Sequence, residues 1–389
     1  MFLKLFSLIP LLHIYIGLRL LPALPWDSSA IVAGALLLTA STVLMPLGML
    51  ARRMPEPRAD LLAWAGFLFM GAFSSLLVLT VLRDLVLLLW STAAAVAPDA
   101  MAGQGHIGDG LARFRERSAL IVLLLTTVLT MLGFINARRV AAVLKVDIPI
   151  AGLPQALHGF TIVQITDVHV GPTIKRGNLQ RIVDVVNGLK ADVVAVTGDL
   201  VDGSVSHLAH DVEPLAALTS RHGTFFVTGN HEYYSGVEGW VPHLRELGVN
   251  VLMNEHVVLE HGEARLVLAG ITDFGAHHFY PDQQSDPVRA LRGAPDAVQT
   301  RILLAHQPRS AAAAEPAGYQ LQISGHTHGG QFLPWNFLVR LQQPFTAGLA
   351  RLGNMWIYTS RGTGYWGPPK RIGAPSEITA IRLVRAEGG

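Results

Sequence analysis

The stretch Phe160–Asp202, FTIVQITDVHVGPTIKRGNLQRIVDVVNGLKADVVAVTGDLVD, decides the fold. Phe160–Thr166 is apolar and rich in β-branched residues, which suit a pleated, buried surface. Asn178–Leu189 repeats its apolar residues at helical spacing. Asp192–Thr197 is a second apolar run. Such runs fit strands buried on both faces, so the stretch predicts an α/β domain with helices layered on sheet. Both strands stop on polar residues. Asp167 and His169 end the first, and Asp199 ends the second.

The pattern continues downstream. Thr224–Thr228 is a predicted strand followed by Asn230 and His231, in VTGNHE. Arg301–Ala305 is followed by His306, in ILLAHQP, and Leu321–Ser324 by His326 and His328, in ISGHTHGGQ. Further strands are predicted at Val249–Met253, Val257–Glu260, Leu266–Gly270, Met355–Thr359 and Ile378–Leu383, with helices at His210–Ser220 and Gly239–Leu247. Residues at i and i+2 of a strand share a face, so each spaced pair can reach one metal. Ligand sites in α/β sheets collect beyond the carboxyl ends of strands, and all five polar clusters fall there. Gly198, Gly229 and Gly325 precede the polar residues and suit sharp turns. Gly329 and Gly330 are expected to let the main chain pass close to a metal or phosphate.

The chain contains no cysteine. That excludes a disulfide framework, thiolate-bound zinc and thiol catalysis. Imidazole, carboxylate and amide ligands without sulfur suit two divalent ions, manganese, iron or zinc, and the residue pattern does not choose among them. Fourteen of the sixteen histidines lie after residue 137.

The other part of the chain is a different material. Half of the 389 residues are hydrophobic and 15% are charged, against about 25% charged in a typical soluble domain. The apolar excess lies before Arg138. A membrane span needs roughly 20 mostly apolar residues, and spans are predicted at about 5–24, 30–51, 61–82 and 118–137. Arg83 and Asp84 interrupt the apolar run 61–97, where a break or a helix leaving the membrane is expected. Residues 1–137 thus read as a bundle of about four transmembrane helices, 138–157 as a linker and 158–389 as the catalytic domain. Arg52, Arg53 and Arg58 in one short loop, with Arg138, Arg139 and Lys145 after the last span, place both termini in the cytoplasm of a multi-pass membrane protein. The residues after 137 carry 21 basic and 21 acidic side chains. This argues against nucleic acid, which calls for a basic stripe.

The ordered motif set resembles the calcineurin-like metallophosphoesterase superfamily over roughly Gly159–Leu383. The GHTHGGQ and LLAHQP blocks and the apolar N-terminal part resemble its YkuE/YaeI-like membrane-associated bacterial branch. The resemblance implies a four-layer sandwich, two sheets flanked by helices, with two metals at its edge. It implies that Asp167, His169 and His328 hold the first metal and that Asn230, His306 and His326 hold the second. Asp199 bridges both, and His231 faces the leaving group as general acid with Glu232 orienting it. Many relatives have Arg after the second Asp of Gly-Asp-x-x-Asp. Gly203 stands there instead, so Asp202 is expected to structure the loop. Two such ions clamp the attacking and leaving oxygens of an in-line displacement.

The function this implies is hydrolysis of a phosphodiester or pyrophosphate bond. The substrate would be lipid-linked or nucleotide-linked, such as UDP-2,3-diacylglucosamine, with membrane lipids as surroundings. Two alternatives are a tethered phosphodiesterase or nuclease acting on soluble nucleotides, and a non-catalytic metal-binding sensor. Arg361, Lys370 and Arg371 are candidates for an anionic head group. Tyr365 and Trp366 could stack on a base. His277 and His278 lie in a loop expected to overhang the site.

Overall fold

The computed structural model of the chain describes residues 2–51, 54, 57–96 and 107–386. They divide into two units, Met1–Ile135 with Gly367–Lys370, and Asn136–Trp366 with Arg371–Gly389.

The first unit holds helices α1 (Phe2–Leu20), α2 (Ser28–Leu50), α3 (Arg58–Val96) and most of α4 (Ile107–Arg138). Asp27 caps α2, its carboxylate accepting from Ala30 N at 2.8 Å, which satisfies one of the free N–H groups of the first turn. Helices α2, α3 and α4 are each long and apolar enough to cross a membrane, while the apolar stretch Leu8–Ala23 is shorter. α2 and α3 approach closely at Gly48 and Gly66. A Cβ on Gly66 would stand 2.4 Å from Leu44 O and 2.7 Å from Gly48 Cα. Small residues of this kind let helix backbones touch where lipid supplies no hydrophobic drive.

No break stands at Arg83 and Asp84, because α3 runs through them. Their polar groups are satisfied without leaving the helix. Buried Arg83 donates to Ser118 Oγ at 2.9 Å, Arg115 O at 3.0 Å and Arg19 O at 3.3 Å. Asp84 accepts from Tyr15 Oη at 2.7 Å and Arg19 Nε at 2.6 Å. Charges on an apolar helix persist when they pair with each other and with carbonyls in this way.

In the second unit the expected linker 138–157 is corrected. Ala142–Ile150 forms strand β1, parallel to β12 (Glu377–Arg385) over nine pairs from Ala142↔Glu377 to Ile150↔Arg385. Its sequence hides this, because Lys145, Asp147 and Pro149 interrupt the apolar run and most of its outer residues are exposed. The remaining strands of this sheet are β2 (Thr161–Ile165), β3 (Val193–Val196), β4 (Thr224–Phe226) and β5 (Asn250–Val251), in the order β1-β12-β2-β3-β4-β5. The second sheet contains β6 (Glu255–His261), β7 (Ala264–Gly270), β8 (Arg301–Leu304), β9 (Leu321–Ser324), β10 (Gly348–Leu352) and β11 (Met355–Thr359), in the order β10-β11-β9-β8-β7-β6.

Strand alternation sets the layers. Ile162, Val193 and Ala195 face Leu268, Leu304 and Ile323 between the sheets. The opposite faces of β2 and β3, Val163, Ile165, Val194 and Val196, pack on α5 (Arg176–Gly188) and α8 (Val237–Glu246) through Leu179, Val183, Val186 and Trp240. The outer face of the second sheet, Val267, Ala269, Leu303 and Ile357, is covered by Ala311 and Ala314. The result is the four-layer α/β sandwich, with each buried Val, Leu or Ile contributing roughly 1.5–3 kcal/mol. Gln164 falls on the inter-sheet face, where its Nε2 donates to Thr197 Oγ1 at 2.7 Å and Ser324 O at 2.9 Å. It ties the two sheets at the end where the polar motifs emerge.

One helix is displaced from its predicted position. α6 covers Val205–Val212, and 213–217 is a short 3₁₀ turn. Pro214 has no N–H to continue the α-helix.

Candidate metal centre

Strands β2, β3 and β4 run parallel, so their carboxyl ends share one edge. Asp167, His169 and Asp199 emerge there. They take φ values of 54°, 56° and 51°, and His326 and His328 take 71° and 51°. Left-handed backbone is uncommon for residues with a Cβ and persists only where its surroundings enforce it. Main-chain bonds do so here. Asp167 N donates to Gly198 O at 3.0 Å and His169 N to Asp199 O at 3.1 Å. His326 N donates to the Asp167 carboxylate at 3.0 Å.

The side chains then converge in two groups. His169 Nε2 and His328 Nε2 are 3.0 Å apart, and His328 Nε2 is 3.4 Å from Asp167 Oδ1. His306 Nε2 is 3.1 Å from Asp199 Oδ2 and 3.2 Å from His326 Nδ1. Its other nitrogen, Nδ1, donates to Thr197 O at 2.8 Å. That bond fixes the tautomer and leaves Nε2 with its lone pair toward the centre. Asn230 opens helix α7 (Asn230–Ser235), and its Oδ1 is buried with no hydrogen-bond partner. A buried oxygen left unpaired is costly, and a cation would satisfy it. Imidazole, carboxylate and amide oxygen in this number suit divalent ions, so the residues present fit a pair of them.

His231 is buried beside these groups. Its N–H donates to Asp199 Oδ1 at 2.9 Å, and its Nε2 lies 3.9 Å from Asp199 Oδ2. Its Nδ1 bonds Asp202 Oδ1. Burial opposes a charge on this ring, but Asp199 and Asp202 outweigh it and raise its pKa to about 9. The rings of Tyr234 and Trp366 stand 5.3 and 5.6 Å from it.

Residues 160–330 match the calcineurin-like phosphoesterase family. A metallophosphoesterase of Aquifex aeolicus is 32% identical over 225 residues, which cover 57% of this chain and 84% of that protein. One of Campylobacter jejuni is 34% identical over 68% of this chain and 69% of its own length. The chain belongs to the calcineurin-like phosphoesterases. A Danio rerio protein described as a transmembrane protein with metallophosphoesterase domain is 42% identical over 278 residues. That match covers 69% of this chain and 63% of the zebrafish protein, so the chain spans less than two thirds of this relative's length.

Within this phosphoesterase site, the structure reassigns several residues. Asp202 was expected to serve only its loop. It does bond the main chain, its N–H donating to Val170 O at 2.8 Å. Its carboxylate also bonds His231 and lies 3.3 Å from His169 Nδ1. Burial disfavours its ionisation, yet His231 and His169 hold the carboxyl well below the usual range. Glu232 does not orient His231. It accepts from Gly229 N at 2.6 Å, Leu200 N at 2.8 Å and Asp199 N at 3.0 Å, so it holds the main chain around Asp199. Burial and the Asp199 charge raise its pKa to about 7.

The head-group candidates are also reassigned. Arg371 is buried and donates to the carbonyls of Gly364, Arg361 and Ala374. Its Nη2 lies 3.0 Å from His328 Nδ1. Lys370 belongs to the helical unit and donates to Gly71 O at 2.7 Å. Arg361 pairs with Glu377 at 2.8 Å, and Tyr365 is buried with its hydroxyl on Thr173 O. Trp366 alone of this group is well exposed, at 44%. The rings of His277 and His278 lie against each other, centroids 3.9 Å apart and planes tilted by 45°. Gly330 makes its close main-chain approach to Asn336. A Cβ there would meet Asn336 Cα at 2.1 Å.

Asp273 was not anticipated. It is buried after β7 and accepts from Gln307 Nε2 at 2.8 Å, beside His306. A strand ending in ITD, like the ITD of Asp167, was the available signal.

Proposed function

We propose that the chain is a membrane-anchored phosphoesterase that hydrolyses a phosphodiester or pyrophosphate bond with two divalent ions. Asp167, His169 and His328 would hold one ion and Asn230, His306 and His326 the other, with Asp199 shared. Manganese is the first choice, ahead of iron and zinc. When bound, such ions lower the pKa of water and clamp the attacking and leaving oxygens of an in-line displacement.

His231 is the general acid. Asp202 accepts a hydrogen bond from its Nδ1–H and favours the protonated ring. The remaining proton sits on Nε2, beside Asp199, and passes to the leaving oxygen, a step typically worth 10²–10⁴-fold. Glu232 holds the loop that carries Asp199, and Trp366 and Tyr234 flank the acid. The His231–Asp202 pair is the observation that carries this reading. A metal-binding sensor needs ligands but no buried imidazole held by a separate carboxylate beside them.

The apolar helices and the transmembrane description of the zebrafish relative support a substrate held at a bilayer. A lipid-linked or nucleotide-linked pyrophosphate of the UDP-2,3-diacylglucosamine kind fits. With four crossings of a bacterial plasma membrane, the loop arginines support a catalytic unit in the cytoplasm, which a reporter fused after Gly389 tests. Protein purified with Mn²⁺ should turn over bis(p-nitrophenyl) phosphate faster than p-nitrophenyl phosphate and should cleave a lipid-linked pyrophosphate. No turnover of any of the three overturns the enzymatic reading.

A further inference from the structure

A second histidine–carboxylate cluster lies at the opposite end of β3. Asp192 directly precedes β3, His222 precedes β4, and His261 ends β6 in the second sheet. The proposed function uses none of them. His222 Nε2 and His261 Nδ1 are 3.1 Å apart, and His261 Nδ1 is 3.8 Å from Asp192 Oδ1. In a tetrahedral zinc site with bonds of 2.0–2.1 Å, ligand atoms stand about 3.3 Å from one another. The first separation matches that edge, the second exceeds it by about 0.5 Å, and all three ligand atoms lie within 4.8 Å of one another.

The surroundings aim the ligands. Asp192 Oδ2 is occupied, accepting from Thr161 N at 2.8 Å and Thr161 Oγ1 at 3.0 Å, which leaves Oδ1 toward the histidines. His222 N donates to Asp192 O at 2.8 Å, so two of the three residues are joined through the main chain. The buried ring of Phe160 packs against both imidazoles, at 5.8 Å from His222 and 5.0 Å from His261. One neighbour opposes binding. Exposed Arg221 reaches to 3.5 Å from His261 Nε2, the nitrogen that must carry the proton once Nδ1 takes a metal.

We infer that Asp192, His222 and His261 form a second transition-metal site, a His₂Asp set for Zn²⁺ that clips the amino edge of the first sheet to the β6–β7 hairpin of the second. Its fourth position is left to water. A metal that binds only the folded chain stabilises it, so the role is structural.

The test is metal content of the full chain after equilibration with a slight excess of Zn²⁺ and removal of unbound metal. His222→Ala/His261→Ala should hold one zinc equivalent less than wild type, whatever number the first centre retains, and Zn²⁺ should raise its Tm less. His261→Gln, on the hairpin, should lose the same equivalent while its circular dichroism stays native, which separates loss of the ligand from loss of the fold. Arg221→Ala should bind this equivalent more tightly. Equal zinc content in wild type and both histidine variants overturns the inference. Because the readout is a difference in stoichiometry, it fails or holds independently of phosphoesterase activity.

Discussion

The two ends of β3 carry the same ingredients, histidine and aspartate, in two different constructions. At the carboxyl end, Asp167, His169, Asp199, His326 and His328 are forced into left-handed backbone and nearly all are buried. At the amino end, Asp192, His222 and His261 keep negative φ and are only partly buried. Strained residues cost of order 1–3 kcal/mol each. That expense appears where many donors must converge on one small volume. Three ligands from extended chain ends can meet without it. Perturbation should therefore be severe at the first end and mild at the second.

The largest effect is expected from Asp199→Ala, which removes the carboxylate shared by both ligand groups. Turnover and both metal equivalents should vanish, and a variant that keeps two ions and its activity would break the shared assignment. His231→Ala comes next. It should lose about 10²–10⁴-fold in kcat with metal content unchanged by elemental analysis; full activity ends the acid role. Asp202→Asn should cost about 10–100-fold, the usual range for a partner that orients a key group. It should also move the alkaline limb of the pH profile. Asp202 raises the pKa of His231, and the acid works only while protonated, so removing that charge shifts the fall in activity to lower pH.

Glycine substitutions sharpen the contrast at smaller scale. A Cβ on Gly325 would stand 2.2 Å from Thr166 Oγ1 and 2.3 Å from Asp167 Oδ2, so Gly325→Ala should lower both Tm and metal content. A Cβ on Gly262, next to His261, would find its nearest neighbour at 3.6 Å. Its φ is +61°, so Gly262→Ala meets only the backbone penalty, about 1 kcal/mol, and should leave activity intact.

Much of the catalytic unit was legible because its strands are apolar throughout and its polar residues follow them directly. The residues of the centre could be found one strand at a time. Asp202 could not be weighed that way. Its value depends on His169 and His231, which arrive from two other loops. β1 escaped notice for a related reason. It is an edge strand with charges along it, and its partner β12 lies more than two hundred residues away. Arg371 and Lys370 looked like surface cations because basic residues are rarely buried, yet carbonyls absorb their donors. In the helical unit, Arg83 and Asp84 suggested a break for the same reason, and partners on α1 and α4 removed the need for one.

The sequence by itself determined the alternation of strand and helix, the apolar helices and the identity of the residues that gather at the strand ends. Those follow from local pattern and from the chemistry of side-chain types. Only the tertiary structure decided which nitrogen of each histidine faces inward, which carboxylate holds His231, and where the buried cations spend their charge. These depend on distances of about 3 Å between residues far apart in the chain, which local pattern does not encode.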